Sequence, residues 1–353
     1  MKKYLIVFIC FTSVFLASCG SKQTDPVSSA LSPEVAFDSL ITYIEKTGDF
    51  INSDKVPALI SAPDLFQQLD SNILLLDIRD EVDFKAAHIA GARNIPFNQL
   101  LNYFEQKIDP NSFNKIVLIC YSGQVTSYAS GILRLLGYNN VFSLRLGMSS
   151  WHPATAKAFW HARISDKYEN FLENSPNPKN LAGEYPRIVT NEVFGFAILR
   201  ERAHKLFEEG FDPAKVTPDE LFEPNNSYYI VNYWPDDSYN KGHIPGAVQY
   251  KPKESLKRSM QLSTLPIEGP IVFYCYTGQH SAFVSAYLRL LGYDAKGLIY
   301  GANSFMHGFM KREGIRSVFT SNDVNDFPVV SGGESSNLIS KDQPIVVAPR
   351  GGC

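Results

Sequence analysis

The chain has 353 residues, is 44% apolar and 13% aromatic, and carries a formal net charge of −3. That length exceeds one ordinary core and fits two domains of roughly 100–200 residues. The charge balance leaves no basic stripe to neutralise phosphates, which argues against nucleic acid as a partner. With no zinc-type Cys/His spacing, GxGxxG fingerprint or P-loop, neither a metal nor a nucleotide cofactor is expected.

At the start of the chain, Met1-Lys2-Lys3 is positive, residues 4–17 are almost wholly apolar, and Leu16-Ala17-Ser18-Cys19 follows. The apolar run of 14 residues is short of the roughly 20 needed to span a bilayer, so residues 1–18 read as a secretory signal. The tetrapeptide resembles the bacterial lipobox. That resemblance implies a Cys19 that is acylated and a protein lipid-anchored in the bacterial cell envelope, with Gly20 favouring the outer membrane. Residues 20–35, rich in Ser, Thr and Pro, read as a tether.

Phe37, Leu40, Ile41 and Ile44 fall at i, i+3, i+4 and i+7, which predicts a helix over 36–46. Ser61, with Pro63 behind it, is a helix start. Residues 73–76 form an unbroken apolar run, which fits a strand buried on both faces; 115–120, apolar from Ile116 to Cys120, reads as a second such strand and 140–144 as a third. Helical stretches lie between them, 81–87 among them, so the pattern is α/β with a largely parallel sheet flanked by helices. Residues 175–180 break structure, and 191–210 are helical up to Gly210. Strands then recur at 228–232, 271–274 and 298–300, and the chain turns polar and loop-like after about residue 321. The expected division is a tether and N-terminal helix at 19–54, a first domain at 55–165 and a linker at 166–186. A second domain at 187–318 and a tail at 319–353 complete it.

The second half repeats the first. His88 and His243, Cys120 and Cys275, and Gly137 and Gly292 are each 155 residues apart. A period that long marks duplicated domains rather than short stacked repeats. Both copies keep a cysteine where a strand hands over to a helix, in CYSGQV and CYTGQH. In that geometry successive N–H groups curve around the sulfur and the helix N-terminus adds partial positive charge. Such a cradle lowers a thiol pKa from about 8.5 and would equally hold a persulfide anion. Gly123 and Gly278 let each loop turn back with positive φ. Tyr121, Ser122, Gln124, Tyr276, Thr277 and Gln279 are expected at the mouth, with helices starting near Thr126 and Ser281.

These residues resemble the rhodanese (sulfurtransferase) family, in tandem. The first unit matches at Asp77-Ile78-Arg79, at residues 88–96 from His88 to Pro96, at the Cys120 loop, and at Leu146-Gly147 with Trp151. The second matches at residues 242–247 around His243, at the Cys275 loop, and at Tyr300-Gly301 with Phe305. The resemblance implies two rhodanese-like domains with Cys120 and Cys275 as catalytic nucleophiles. The substrate-binding loops would be Tyr121 to Thr126, including Val125, and Tyr276 to Ser281, including His280. Partners would be a small sulfur donor and a thiol or cyanide acceptor, with no cofactor. Asp77, Arg79, His88 and His243 read as scaffold, and each histidine has no carboxylate near it in sequence. The second unit has Asn232-Tyr233-Trp234 where Asp-x-Arg is expected.

Neither loop contains Arg or Lys. A dianion such as thiosulfate would want a second cation, so polysulfide or a low-molecular-weight persulfide is the expected donor. Of the five cysteines, Cys10 leaves with the signal, and an odd number of the remainder is unlipidated, so thiols rather than a disulfide framework are expected. Cys353 at the last position is either an inert terminus or an accessory thiol that exchanges with Cys275. The alternative to a sulfurtransferase is a non-catalytic binding or scaffold protein that presents the duplicated loops. The sequence leaves the oligomeric state open.

Overall fold

The computed structural model describes residues 31–333. The expected signal, Cys19 and most of its tether lie outside the described residues, as does Cys353. Among the described residues ten strands form two five-stranded sheets in which every pairing is parallel. In the first half these are β1 (Leu59–Ile60), β2 (Ile73–Asp77), β3 (Arg93–Asn94), β4 (Lys115–Ile119) and β5 (Val141–Leu144), in the order β1-β5-β4-β2-β3. The second half has β6 (Lys215–Val216), β7 (Tyr229–Asn232), β8 (Val248–Gln249), β9 (Ile271–Tyr274) and β10 (Ala295–Leu298), in the order β6-β10-β9-β7-β8. The second order is the first shifted by five, so the duplication in sequence is a duplication of topology.

The unbroken apolar runs have a direct cause. Alternate residues of a strand face opposite sides, and here both sides are core. Ile116 and Leu118 of β4 join a large cluster that also contains Ile271 and Phe273 of β9. Val117 and Ile119 pack into an outer cluster of the first unit, and Val272 and Tyr274 into that of the second. The large cluster is shared because the Gln124–Leu135 and Gln279–Leu290 helices pack against each other between the sheets. The Pro33–Lys46 helix, lengthened by three residues over its predicted start, packs on the Gly195–Glu209 helix. Phe37, Leu40, Ile41 and Ile44 of the predicted stripe are buried, with Ala36 beside them. Ser61 caps its helix by accepting from Asp64 N.

Two local expectations need correction, and four short strands were not foreseen. The loop helices begin at Gln124 and Gln279 rather than two residues later, because Gly123 (φ +89°) and Gly278 (φ +79°) are themselves the N-caps. The strand read at 298–300 is β10, which ends at Leu298; Tyr300 is left-handed (φ +59°) and opens the turn Gly301–Ser304. The edge strands β1, β3, β6 and β8 have two residues each, too few to show any period.

The segment after each unit runs onto the other unit. Residues 165–173 lie along the second unit: Ser165 N donates to Asn303 O, Tyr168 N to Phe305 O, and Glu173 forms an antiparallel bridge with His243. Residues 325–330 do the same to the first: Asn325 N donates to Ser150 O, Phe327 N to Trp151 O, and Val330 bridges His88. The loop-like part of the predicted tail is therefore a strap, at least as far as it is described.

Candidate active site

Cys120 and Cys275 each follow the last residue of a central strand, β4 and β9, and each is 2% exposed. Gly123 N donates to Cys120 Sγ at 3.1 Å, and Thr126 Oγ1 lies 3.4 Å from the sulfur. In the second unit Ser281 N donates to Cys275 Sγ at 3.4 Å, and Ser281 Oγ lies 3.7 Å away. Strand end, glycine turn and helix start thus aim N–H groups at both sulfurs, as the sequence implied.

The surroundings of the two sulfurs differ. Cys275 lies in a cavity of about 440 Å³. Tyr276, Thr277 and His280 of the loop face it, as do Tyr233, Lys251, Lys253 and Arg316 of the second unit and Arg145 of the first. Among the described residues no carboxylate lines it. Arg316 sits over the Tyr276 ring, 5.5 Å from its centroid, with Nε 3.3 Å from the phenol oxygen. Arg145 is paired with Asp323 at 2.9 Å, and the exposed Lys251 with Glu254. The expectation that the site has no cation beyond the loop amides therefore fails at Cys275. The cations come from segments 22 or more residues from the cysteine in sequence, where no loop motif would reveal them.

The imidazole of His280 edges this cavity while its Nε2 is closed off without a hydrogen-bond partner. Burial, and then the positive charge of Lys253, push its pKa down to about 3. It stays neutral across the physiological range, so it adds no fifth cation.

In the first unit the loop is covered. Phe159 stacks on the Tyr121 ring at 4.4 Å, and Trp160 Nε1 donates to Ser122 O at 3.2 Å. Tyr121 and Ser122 are buried, whereas Tyr276 and Thr277 are half-buried. Tyr121 donates to Asp83 Oδ2 at 2.5 Å; burial first, and that carboxylate second, push its phenol well above the ordinary range. From Gly147/Gly301 and Trp151/Phe305 onward the offset is 154 residues, so Phe159-Trp160-His161 corresponds to Glu313-Gly314-Ile315. Two aromatic lids in one copy stand where the other has a glutamate and a glycine. A cavity of about 660 Å³ near Tyr300, Ala162 and Thr217 occupies the corresponding place, and Cys120 does not line it. Comparing the two copies at this offset was the signal that could have found the lid.

Gln124 and Gln279 are not at the mouth. Both are buried and reach across to the opposite loop. Gln124 Oε1 accepts from Tyr300 N at 2.6 Å while its Nε2 donates to Ser122 Oγ at 3.0 Å. Gln279 Oε1 accepts from Leu146 N at 3.0 Å, and its Nε2 donates to Gly123 O at 3.1 Å. A Cβ on Gly123 would collide with the Gln279 amide, and one on Gly278 with that of Gln124. Val125 packs on the shared core.

The motif residues have structural partners. Arg79 pairs with Asp77 at 2.7 Å, both buried, and donates to Ala87 O. In the second unit neutral groups fill this place: Asn232 Nδ2 and Ile244 N both donate to Tyr274 OH, at 2.8 and 3.2 Å. His88 Nδ1 lies 2.8 Å from Phe84 O, and His243 Nδ1 lies 2.9 Å from Tyr239 O. His243 does have a carboxylate near it, contrary to the sequence reading. Glu173 Oε1 of the exchanged strap is 3.5 Å from its Nε2.

The model of the rhodanese-like domain matches residues 61–154 and again 217–307. The chain belongs to the rhodanese-like family. It is similar to the thiosulfate sulfurtransferase GlpE of Shewanella oneidensis, 34% identical over 98 residues, which is 28% of this chain and 94% of that protein. It is also similar to the putative sulfur carrier protein YrkF of Bacillus subtilis, 27% identical over 130 residues, 35% of this chain and 68% of that one. Among solved structures, a rhodanese-related protein from Thermoplasma volcanium is 27% identical with a TM-score of 0.24, covering 26% of this chain and 87% of its own. A thiosulfate sulfurtransferase from Pseudomonas aeruginosa is 15% identical with a TM-score of 0.28, covering 88% and 50%. The GlpE match is about one unit long, so this rhodanese-like chain carries two such units plus the straps that join them.

Proposed function

We propose that this protein is a sulfurtransferase whose working nucleophile is Cys275. The observation that carries the reading is a thiol at the floor of a cavity, facing loop N–H groups and flanked by cations without a carboxylate in the lining. The Cys275 thiolate attacks the outer sulfur of a donor. A new S–S bond forms, the donor's S–S bond breaks, and the leaving group departs with the electron pair as a thiolate or as sulfite. An acceptor thiolate or cyanide then takes the outer sulfur and restores the Cys275 thiolate, with no external oxidant or reductant. The cations favour an anionic donor, and thiosulfate, persulfide and polysulfide all qualify. The names of the similar curated proteins support this class of reaction. The protein works from the cell envelope, held by lipid on Cys19; Cys19→Ala would then block lipid modification.

The covered Cys120 loop supports a second reading for the first unit, that of a non-catalytic scaffold. Incubation with polysulfide followed by peptide mass spectrometry tests both. One added sulfur on the Cys275 peptide and none on the Cys120 peptide is the expected result. No adduct on either would leave the whole chain as a binding protein.

A further inference from the structure

The cradle around Cys275 depends on a turn that the loop does not contain. Ala302 N donates to Cys275 O at 2.9 Å, and Asn303 donates to Tyr276 O from N at 3.3 Å and from Nδ2 at 2.7 Å. In a planar trans peptide the C=O and the following N–H point opposite ways. Drawing these two carbonyls down to the turn therefore directs the N–H groups of Tyr276 and Thr277 away from it, and Ser281 N, farther along the same loop, donates to the sulfur at 3.4 Å. The turn begins at Tyr300, a non-glycine residue at φ +59°, a conformation that costs free energy unless neighbours hold it. The hydrogen bond holding its N–H comes from the first unit: Gln124 Oε1 accepts it at 2.6 Å. The first loop mirrors this. Leu146, also at φ +59°, donates to Gln279, while Met148 N and Ser149 N donate to Cys120 O and Tyr121 O. The same device twice, in opposite directions, argues against a chance contact.

From this geometry we infer that Gln124 is a positioning residue for Cys275: the first unit, through one buried amide, holds the turn that keeps the second unit's N–H groups on its sulfur. The inference rests on the reading of Cys275 as the nucleophile. It also gives the first unit a part in the reaction that needs no chemistry at Cys120.

Alkylation tests it without requiring sulfur transfer, so its outcome is separable from that of the proposed function. Full-length protein is treated with iodoacetamide, and loss of the unmodified Cys275 peptide is followed by mass spectrometry across a range of pH. Q124M keeps the volume and removes the acceptor. Its pH–rate profile should move to the alkaline side by about one unit, a roughly tenfold slower reaction near neutrality, since hydrogen bonds to a charged form favour that form. Sulfur transfer, where measured, should lose kcat with KM little changed. Arg200→Ala removes an exposed ion pair to Glu105 that also joins the halves; its profile should match the unaltered chain, which separates positioning from general loosening. If Q124M does not fold, Q124N, one methylene short of Tyr300 N, is read in the same way. A folded variant of either kind whose profile coincides with that of the unaltered protein overturns the inference.

Discussion

The Cys120 and Cys275 loops descend from one plan: a central parallel strand, a cysteine, a left-handed glycine and a helix of twelve residues. One has become a covered loop and the other the floor of a cationic cavity. The difference lies in residues that the loops only touch. Phe159 and Trp160 close the first, while Glu313 and Gly314 put no aromatic ring over the second and Arg316 takes the face of Tyr276. A reactive motif can thus persist intact while access to it is decided elsewhere in the fold.

The sharpest way to break that comparison is to swap which cysteine is lost. Cys275→Ser should reduce turnover to background, because a hydroxyl is not ionised near neutral pH, whereas Cys120→Ser should keep most of it. Steady-state kinetics on both variants decides; equal losses would mean that the covered loop also works. Next comes the scaffold beneath the loops. Asp77→Ala strands the buried Arg79 charge and should cost about 3–5 kcal/mol, against about 1–3 kcal/mol for Asn232→Ala, which breaks only neutral hydrogen bonds. Denaturant midpoints measure both.

A third test uses pH. In the folded chain His280 takes up its proton only near pH 3, against about 6.5 when unfolded. Between these values the unfolded chain binds more protons, so the stability that depends on neutral His280 is whole above about 6.5 and fades as pH falls. At about pH 5 the loss should be on the order of 1–2 kcal/mol, and His280→Gln should remove it; Tm at two pH values reads this directly. The smallest expected effect concerns Arg316. Because it is exposed, Arg316→Met should lower the preference for iodoacetate over iodoacetamide at Cys275 by only about three- to fivefold. The same ratio at Cys120 should not move, and a shift there would deny that the cations belong to one site.

Much of this fold was legible in the sequence because the signals are local. The runs before Cys120 and Cys275, the stripe from Phe37 to Ile44 and the Ser61 cap each need only neighbours in the chain. The site was half legible. Cysteine, glycine and helix start are contiguous, but Arg145, Lys251, Lys253 and Arg316 meet only once two units have packed. Gln124 and Gln279 were misplaced for the same reason. A glutamine in a loop reads as solvent-facing until a second loop stands close enough to accept and donate. The charge pair missing at Asn232 was visible, but its replacement by Tyr274, which lies on the neighbouring strand, was not.

The exchanged straps bear on how the chain is made. The segment that bridges His88 is among the last parts of the described chain to be synthesised. During synthesis the first unit must wait with that edge uncovered until residues 325–330 arrive, a closure across most of the chain's length and so a slow step. The second unit finds its own strap already in place, since residues 165–173 precede it. The half with the open cysteine can therefore be completed as it emerges, and the half that supplies Gln124 is sealed last.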